Sequence, residues 1–231
     1  MQIFCLPHSG SSAWNYLQWR KYTDQRIEIV PLELAGRGEK QNLPLRQTME
    51  ETISDVIGDF KNAYTGGKYA VFGHSLGAWI AYELYYHFEE ENIPLPESMI
   101  FSGNCTPFSG KEGIVRMDMQ DDEFMEKLIS LGGMSRQILT ENSLYNTYKQ
   151  IFRADFSVAE SYTAVAVERQ ITCPVIVLGG TEDSSVSTED LMEWRKVTAG
   201  RYTIRKIAGN HFFPFINAEE TVAFINEQLL Q

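Results

Sequence analysis

Ser75 stands in Gly73-His74-Ser75-Leu76-Gly77, a G-x-S-x-G pattern between the apolar run Tyr69-Ala70-Val71-Phe72 and a helix-like run beginning at Trp79. A strand, a sharp turn and a helix in that order form a nucleophile elbow. Such a turn lifts the serine hydroxyl above the carboxyl edge of a sheet, where it can attack an acyl carbon. The glycines on either side lack a Cβ, so strand and helix can approach closely around it. Leu76 would open the helix, and its backbone N–H would face an oxyanion developing on the attacked group.

A serine needs a base, and the base needs a carboxylate to orient it. With this elbow the order along the chain is serine, acid, histidine. His8 and His74 precede Ser75, and His87 falls within the helix that follows it. His211 is left, in the loop Gly209-Asn210-His211-Phe212-Phe213 between a late strand and the closing helix. The acid should follow the strand before the histidine's own strand. Val175-Ile176-Val177-Leu178-Gly179-Gly180 runs into Thr181-Glu182-Asp183, so Asp183 is the expected acid, with Glu182 its nearest competitor. A second oxyanion donor should come from the loop after the first strand. Pro7-His8-Ser9-Gly10-Ser11-Ser12 is that loop, and the backbone N–H of Ser9 is the expected donor.

These residues need a scaffold. Gln2–Leu6, Arg26–Val30, Tyr69–Phe72, Ser98–Ser102, Val175–Leu178 and Arg201–Ile207 read as strands. Thr48 reads as the N-cap of a helix with an apolar stripe through Met49, Ile53, Val56, Ile57 and Phe60. Further helices are expected over Trp79–Glu91 and Glu219–Leu230. Alternating strands and helices predict a parallel α/β sheet in one domain spanning residues 1–231. From about residue 106 to 165 the alternation breaks. One helix is expected from Asp121-Asp122 to Gly132-Gly133, and another is capped by Thr140. This helical insertion is the expected lid, and its apolar positions Phe124, Leu128, Tyr148 and Phe152 the expected lining of a substrate channel.

The formal charge of −11 over 231 residues disfavours nucleic acid or an anionic membrane as partner. No apolar run reaches the ~20 residues of a membrane-spanning helix. No signal peptide is visible. Cys5, Cys105 and Cys173 are odd in number and lack metal-site spacing, which predicts reduced thiols in the cytoplasm.

The chain resembles the type II thioesterases of nonribosomal peptide and polyketide synthesis, members of the α/β-hydrolase superfamily. The matching stretches are Phe4-Cys5-Leu6-Pro7-His8-Ser9-Gly10, Glu33-Leu34-Ala35-Gly36-Arg37-Gly38, Gly73 to Gly77, Leu131-Gly132-Gly133, Phe152-Arg153-Ala154-Asp155 and Gly209 to Phe213. Two departures stand out: Ser9-Gly10-Ser11 where Ala-Gly-Gly is common, and Ala35 where proline is common. The resemblance implies an α/β-hydrolase fold with a helical lid. It implies hydrolysis of acyl thioesters from the phosphopantetheine arm of an acyl or peptidyl carrier protein, clearing stalled or misprimed carriers. No cofactor or metal is implied, and a monomer is expected. Two other readings remain open at this point: an esterase of small free esters, and a non-catalytic binding protein on the same fold.

Overall fold

The computed structural model describes residues 1–109, 116–132, 135–137, 141–164 and 170–231. Six strands form one sheet: β1 (Gln2–Leu6), β2 (Glu28–Pro31), β3 (Tyr69–His74), β4 (Ser98–Ser102), β5 (Val175–Gly180) and β6 (Tyr202–Ile207). Their spatial order is β2-β1-β3-β4-β5-β6, and every pairing is parallel. β1, β3, β4 and β5 are short, apolar and buried throughout, while the edge strand β2 is only partly covered. That is the composition a parallel sheet covered on both faces requires.

Alternate strand residues feed two cores. Phe4, Val71, Phe101 and Val177 pack with α1 (Met49–Ala63) and α2 (Leu76–Glu90) on one face. Ile3, Phe72, Ile100 and Ile176 meet the 3-10 helix Ala13–Lys21 and the closing helix Ala218–Leu229 on the other. The hydroxyl oxygen of Thr48 accepts the N–H of Glu51, so the expected cap of α1 is formed. α2 starts at Leu76 rather than Trp79, because the chain leaves the elbow directly into helix. The 3-10 helix and the short α5 (Thr188–Met192) lie in stretches for which no element was expected.

Between β4 and β5 the described residues contain α3 (Asp121–Ser130) and α4 (Asn142–Ser161), and no strand. Gly133, Thr140 and Val165, which figured in the expected ends of the insertion and its helices, lie outside the described residues. Phe124, Met125, Leu128 and Phe152 form a small core between these two helices. Among the described residues no helix is long and apolar enough to cross a membrane.

The chain winds one way from β1 to β2 and the other way from β3 onward. The carboxyl ends of β1 and β3 therefore flank a switch point, where a crevice opens above an α/β sheet. The loops that leave these two strands carry Ser9 and Ser75.

Candidate active site

Ser75 follows β3 with φ 54° and ψ −119°. A side chain other than glycine rarely holds this conformation, and the surroundings must enforce it. They do so from both sides. The Ser75 N–H donates to Ser102 O of β4 (2.8 Å). Its carbonyl accepts from Asn104 Nδ2 (2.9 Å) and from the N–H of Ala78 (2.9 Å). A Cβ on Gly73 would sit 2.0 Å from Gly77 O, and one on Gly77 would sit 2.4 Å from Leu6 O. Both positions are closed to any larger residue, so the glycines of the motif are explained by contact. Leu76 is the first residue of α2, so its N–H has no acceptor within the helix.

Asp183 and His211, the expected acid and base, come from neighbouring strand ends. Asp183 Oδ2 lies 2.8 Å from His211 Nδ1. The Asp183 side chain is 1% exposed and that of His211 16%, so the pair is shielded while the imidazole still reaches the surface of the site. Burial pushes the Asp183 carboxyl up. Hydrogen bonding and charge at His211, with two hydrogen bonds from Ser185, outweigh it and hold the group below its ordinary range. Those two bonds run to Oδ1, from Ser185 Oγ (2.5 Å) and Ser185 N–H (2.9 Å). Glu182 is exposed and its backbone N–H bonds to Gly209 O, so Asp183, not Glu182, is brought to His211.

His211 sits beside the elbow, its ring centroid 5.0 Å from that of His74. His74 Nδ1 is 3.0 Å from Ser102 Oγ. Beyond His74 lies His8, 5.7 Å away and packed edge-on against Phe212. Burial, then the charges of His211 and Arg37, lower His8 to about 3. Burial, then His211 and His8, lower His74 well below the ordinary imidazole range. Both rings are neutral spacers at neutral pH.

A cleft of about 500 Å³ opens beside Ser9. Its floor is His8, Ser9, Gly10 and Ser11, and its far wall includes Leu144, Tyr148 and Phe152 of α4. Tyr148 and Phe152 thus face this cleft. Phe124 and Leu128 are placed inside the small core between α3 and α4.

Four residues of the site were not legible as site residues: Ser185, Asn104, Arg37 and Asp155. Arg37 Nη1 and Nη2 donate to Asp155 Oδ2 (2.6 Å) and Oδ1 (2.5 Å), and Asp155 Oδ2 also accepts the N–H of Gly10 (2.7 Å). Glu33 completes the arrangement from below, accepting from Ser12 Oγ and from the N–H groups of Ala13 and Leu34. Both partners of the ion pair stand in stretches that carried the family resemblance, which was the one signal available.

The Thioesterase domain family model matches residues 1–229. The thioesterase PikA5 of Streptomyces venezuelae is 27% identical over 230 residues, covering 100% of this chain and 81% of that protein. The gramicidin S biosynthesis protein GrsT of Aneurinibacillus migulanus is 26% identical over 232 residues, covering 99% and 89%. Among solved structures, ClbQ from the colibactin NRPS/PKS pathway superposes with a TM-score of 0.93 at 32% identity, covering 99% of this chain and 96% of that one. The type II thioesterase BorB from the borrelidin cluster gives 0.86 at 26%, covering 99% and 92%. A matching family model over nearly its whole length, carried on an α/β-hydrolase sheet, makes this chain a member of the thioesterase-domain family.

Proposed function

We propose that this protein is a serine thioesterase that releases acyl groups from the phosphopantetheine arm of carrier proteins in nonribosomal peptide or polyketide assembly. The observation that carries the reading is the Asp183–His211 pair, 2.8 Å apart and anchored by Ser185, beside a serine held at positive φ at the sheet's switch point. His211, oriented through Nδ1 by Asp183, takes the Ser75 proton on Nε2. Ser75 Oγ attacks the thioester carbonyl, and the N–H groups of Leu76 and Ser9 receive the oxyanion. The tetrahedral adduct expels the pantetheine thiolate, which takes the proton from His211. A thiol with an ordinary pKa near ~8.5 departs far more easily than an alkoxide. Water, deprotonated by His211, then attacks the acyl-enzyme and releases the acid with Ser75 restored.

The insertion between β4 and β5, expected over about 106–165, acts in this reading as a lid. Its α4 forms the wall of a cleft whose size suits a pantetheine arm or a modest acyl chain. Tyr148 and Phe152 contact the bound chain, while Phe124 and Leu128 shape it from behind. The reading places the enzyme in the cytoplasm, where the free thiols of Cys5, Cys105 and Cys173 would stay reduced, and takes it to act as a monomer.

The decisive measurement is kcat/KM on an acyl-carrier protein against the matching acyl N-acetylcysteamine thioester and p-nitrophenyl ester. Carrier-bound substrate is expected to be preferred by at least about tenfold, the contribution of roughly 1.4 kcal/mol of binding outside the acyl group. Equal or better turnover of the free ester would make the protein an esterase.

A further inference from the structure

We propose that Asp155 and Arg37 are positioning residues for the oxyanion hole, tying its first-strand loop to the seated helix α4. The inference rests on the assignment of Ser9 N–H as an oxyanion donor. Residues 8 to 11 form a tight turn closed by the Ser11 N–H donating to His8 O (3.1 Å). The His8 carbonyl and the Ser9 N–H belong to one trans peptide and point in opposite directions. Fixing the carbonyl therefore aims the N–H.

Besides the bond from Asn15 Nδ2 to Ser11 Oγ (2.8 Å), the turn is held from outside by Asp155 and Arg37. The Gly10 N–H donates to Asp155 Oδ2 (2.7 Å), and the Ser11 carbonyl accepts from Arg37 Nη1 (3.3 Å). The carboxylate is itself gripped by both ends of the Arg37 guanidinium, and both side chains are buried. Phe152, three residues before Asp155 and so on the same face of α4, covers the turn. Gly10 has φ 76°, and a Cβ there would sit 2.1 Å from Phe152 Cζ. Arg37, Asp155 and Leu76 also line one small, partly open pocket.

One helix thus presents a ring and a carboxylate to a single glycine, and the donor one residue away depends on both. A seated α4 gives an aimed Ser9 N–H. An α4 that has moved off withdraws the acceptor from Gly10 and relaxes the turn. Turnover is thereby coupled to the seating of the insertion without any side chain of the insertion touching the reacting atoms.

The test uses the full chain and two sets of variants. Asp155→Asn keeps the shape and removes the charge. Arg37→Met with Asp155→Leu removes the buried pair together, so no charge is left unpaired, and it carries the test should Asp155→Asn fail to fold. Each folded variant is expected to lose about 10- to 100-fold in kcat with KM within about threefold, somewhat less than the removal of a whole oxyanion donor. Affinity for an alkyl trifluoromethyl ketone, whose adduct with Ser75 places an oxyanion in the hole, should fall by a similar factor. Arg37→Lys, which keeps charge but loses the fork, should fall between. Folded variants with wild-type kcat, or with reduced kcat but unchanged ketone affinity, would overturn the proposal. Both measurements can be made on a p-nitrophenyl ester, so they stand apart from whether carrier proteins are the natural substrate.

Discussion

The two sides of the site are held by different means. On the side of β5 and β6, Asp183 and His211 leave adjacent parallel strands, and the sheet itself brings them together, with Ser185 two residues from Asp183 as the brace. On the side of β1, the Ser9 turn is held by Asp155, 145 residues from Gly10 in sequence, and by Arg37. The proposed acid–base side is therefore a property of the core, and the proposed oxyanion side is a property of the core and the insertion jointly. Damage to α4 should spare the first and impair the second.

The largest effect expected is one that both sides share. Ser75→Ala should lower kcat about 10⁴- to 10⁶-fold with an unchanged circular dichroism spectrum. A folded variant retaining a tenth of wild-type turnover would remove Ser75 from the chemistry. Asp183→Asn strikes the core-held side alone. It should cost about 10³- to 10⁴-fold in kcat by favouring the wrong His211 tautomer, while Glu182→Gln stays within about twofold. Steady-state kinetics giving the reverse order would exchange their roles.

Gly10→Ala strikes the jointly held side. The added methyl meets the Phe152 ring at a backbone angle alanine avoids, so melting temperature and kcat should both drop, kcat by about tenfold or more. The contrast with Asp183→Asn is sharpened by a ketone inhibitor, whose oxyanion needs Ser9 aimed. Within the insertion, Tyr148→Trp should shorten the longest acyl chain hydrolysed with little thermal cost, because Tyr148 is exposed at the cleft. Leu128→Trp, inside the core between α3 and α4, should instead lower the melting temperature by several degrees through overpacking. An acyl-length series that responds to neither would place the acyl chain elsewhere.

The smallest effect concerns pH. His8 and His74 are neutral in the folded chain, with pKa values depressed below the ~6.5 of an unfolded histidine. Below that pH the unfolded chain takes up protons that the folded chain refuses. Stability is full above about pH 6.5 and falls as pH drops toward the folded value, about 3 for His8. Urea titrations at pH 7 and pH 5 should show a loss of at least about 1 kcal/mol, and His8→Phe should make it smaller. A flat profile would mean that water reaches the rings. Asp183, also depressed, adds its own loss only at lower pH.

What the sequence made legible follows the same division. Strands β1, β3, β4 and β5 were readable because fully buried strands are uninterrupted apolar runs, and Ser75, Asp183 and His211 each follow a strand end. The 3-10 helix Ala13–Lys21 was not readable. Its buried Ala13, Tyr16 and Trp19 recur every third residue, the period of a 3-10 helix rather than the 3.6 spacing that marks an α-helix, and Trp14 stands exposed among them. The apolar stripe through Phe124, Leu128, Tyr148 and Phe152 signalled burial but not against what, and the four divide between an internal core and the cleft wall. The partner of Asp155 was out of reach of any local pattern, because Arg37 lies 118 residues away.

The insertion leaves and re-enters the sheet between β4 and β5, which pair directly, Ile100 beside Ile176. Sheet register is therefore indifferent to how much chain lies between them. Doubling that length would raise the closure entropy by only about 0.6 kcal/mol. Grafting a longer, shorter or foreign helical segment at this junction should leave the strands undisturbed. The transplant must still deliver two groups to Gly10, an acidic side chain that also reaches Arg37 and a ring that covers the turn.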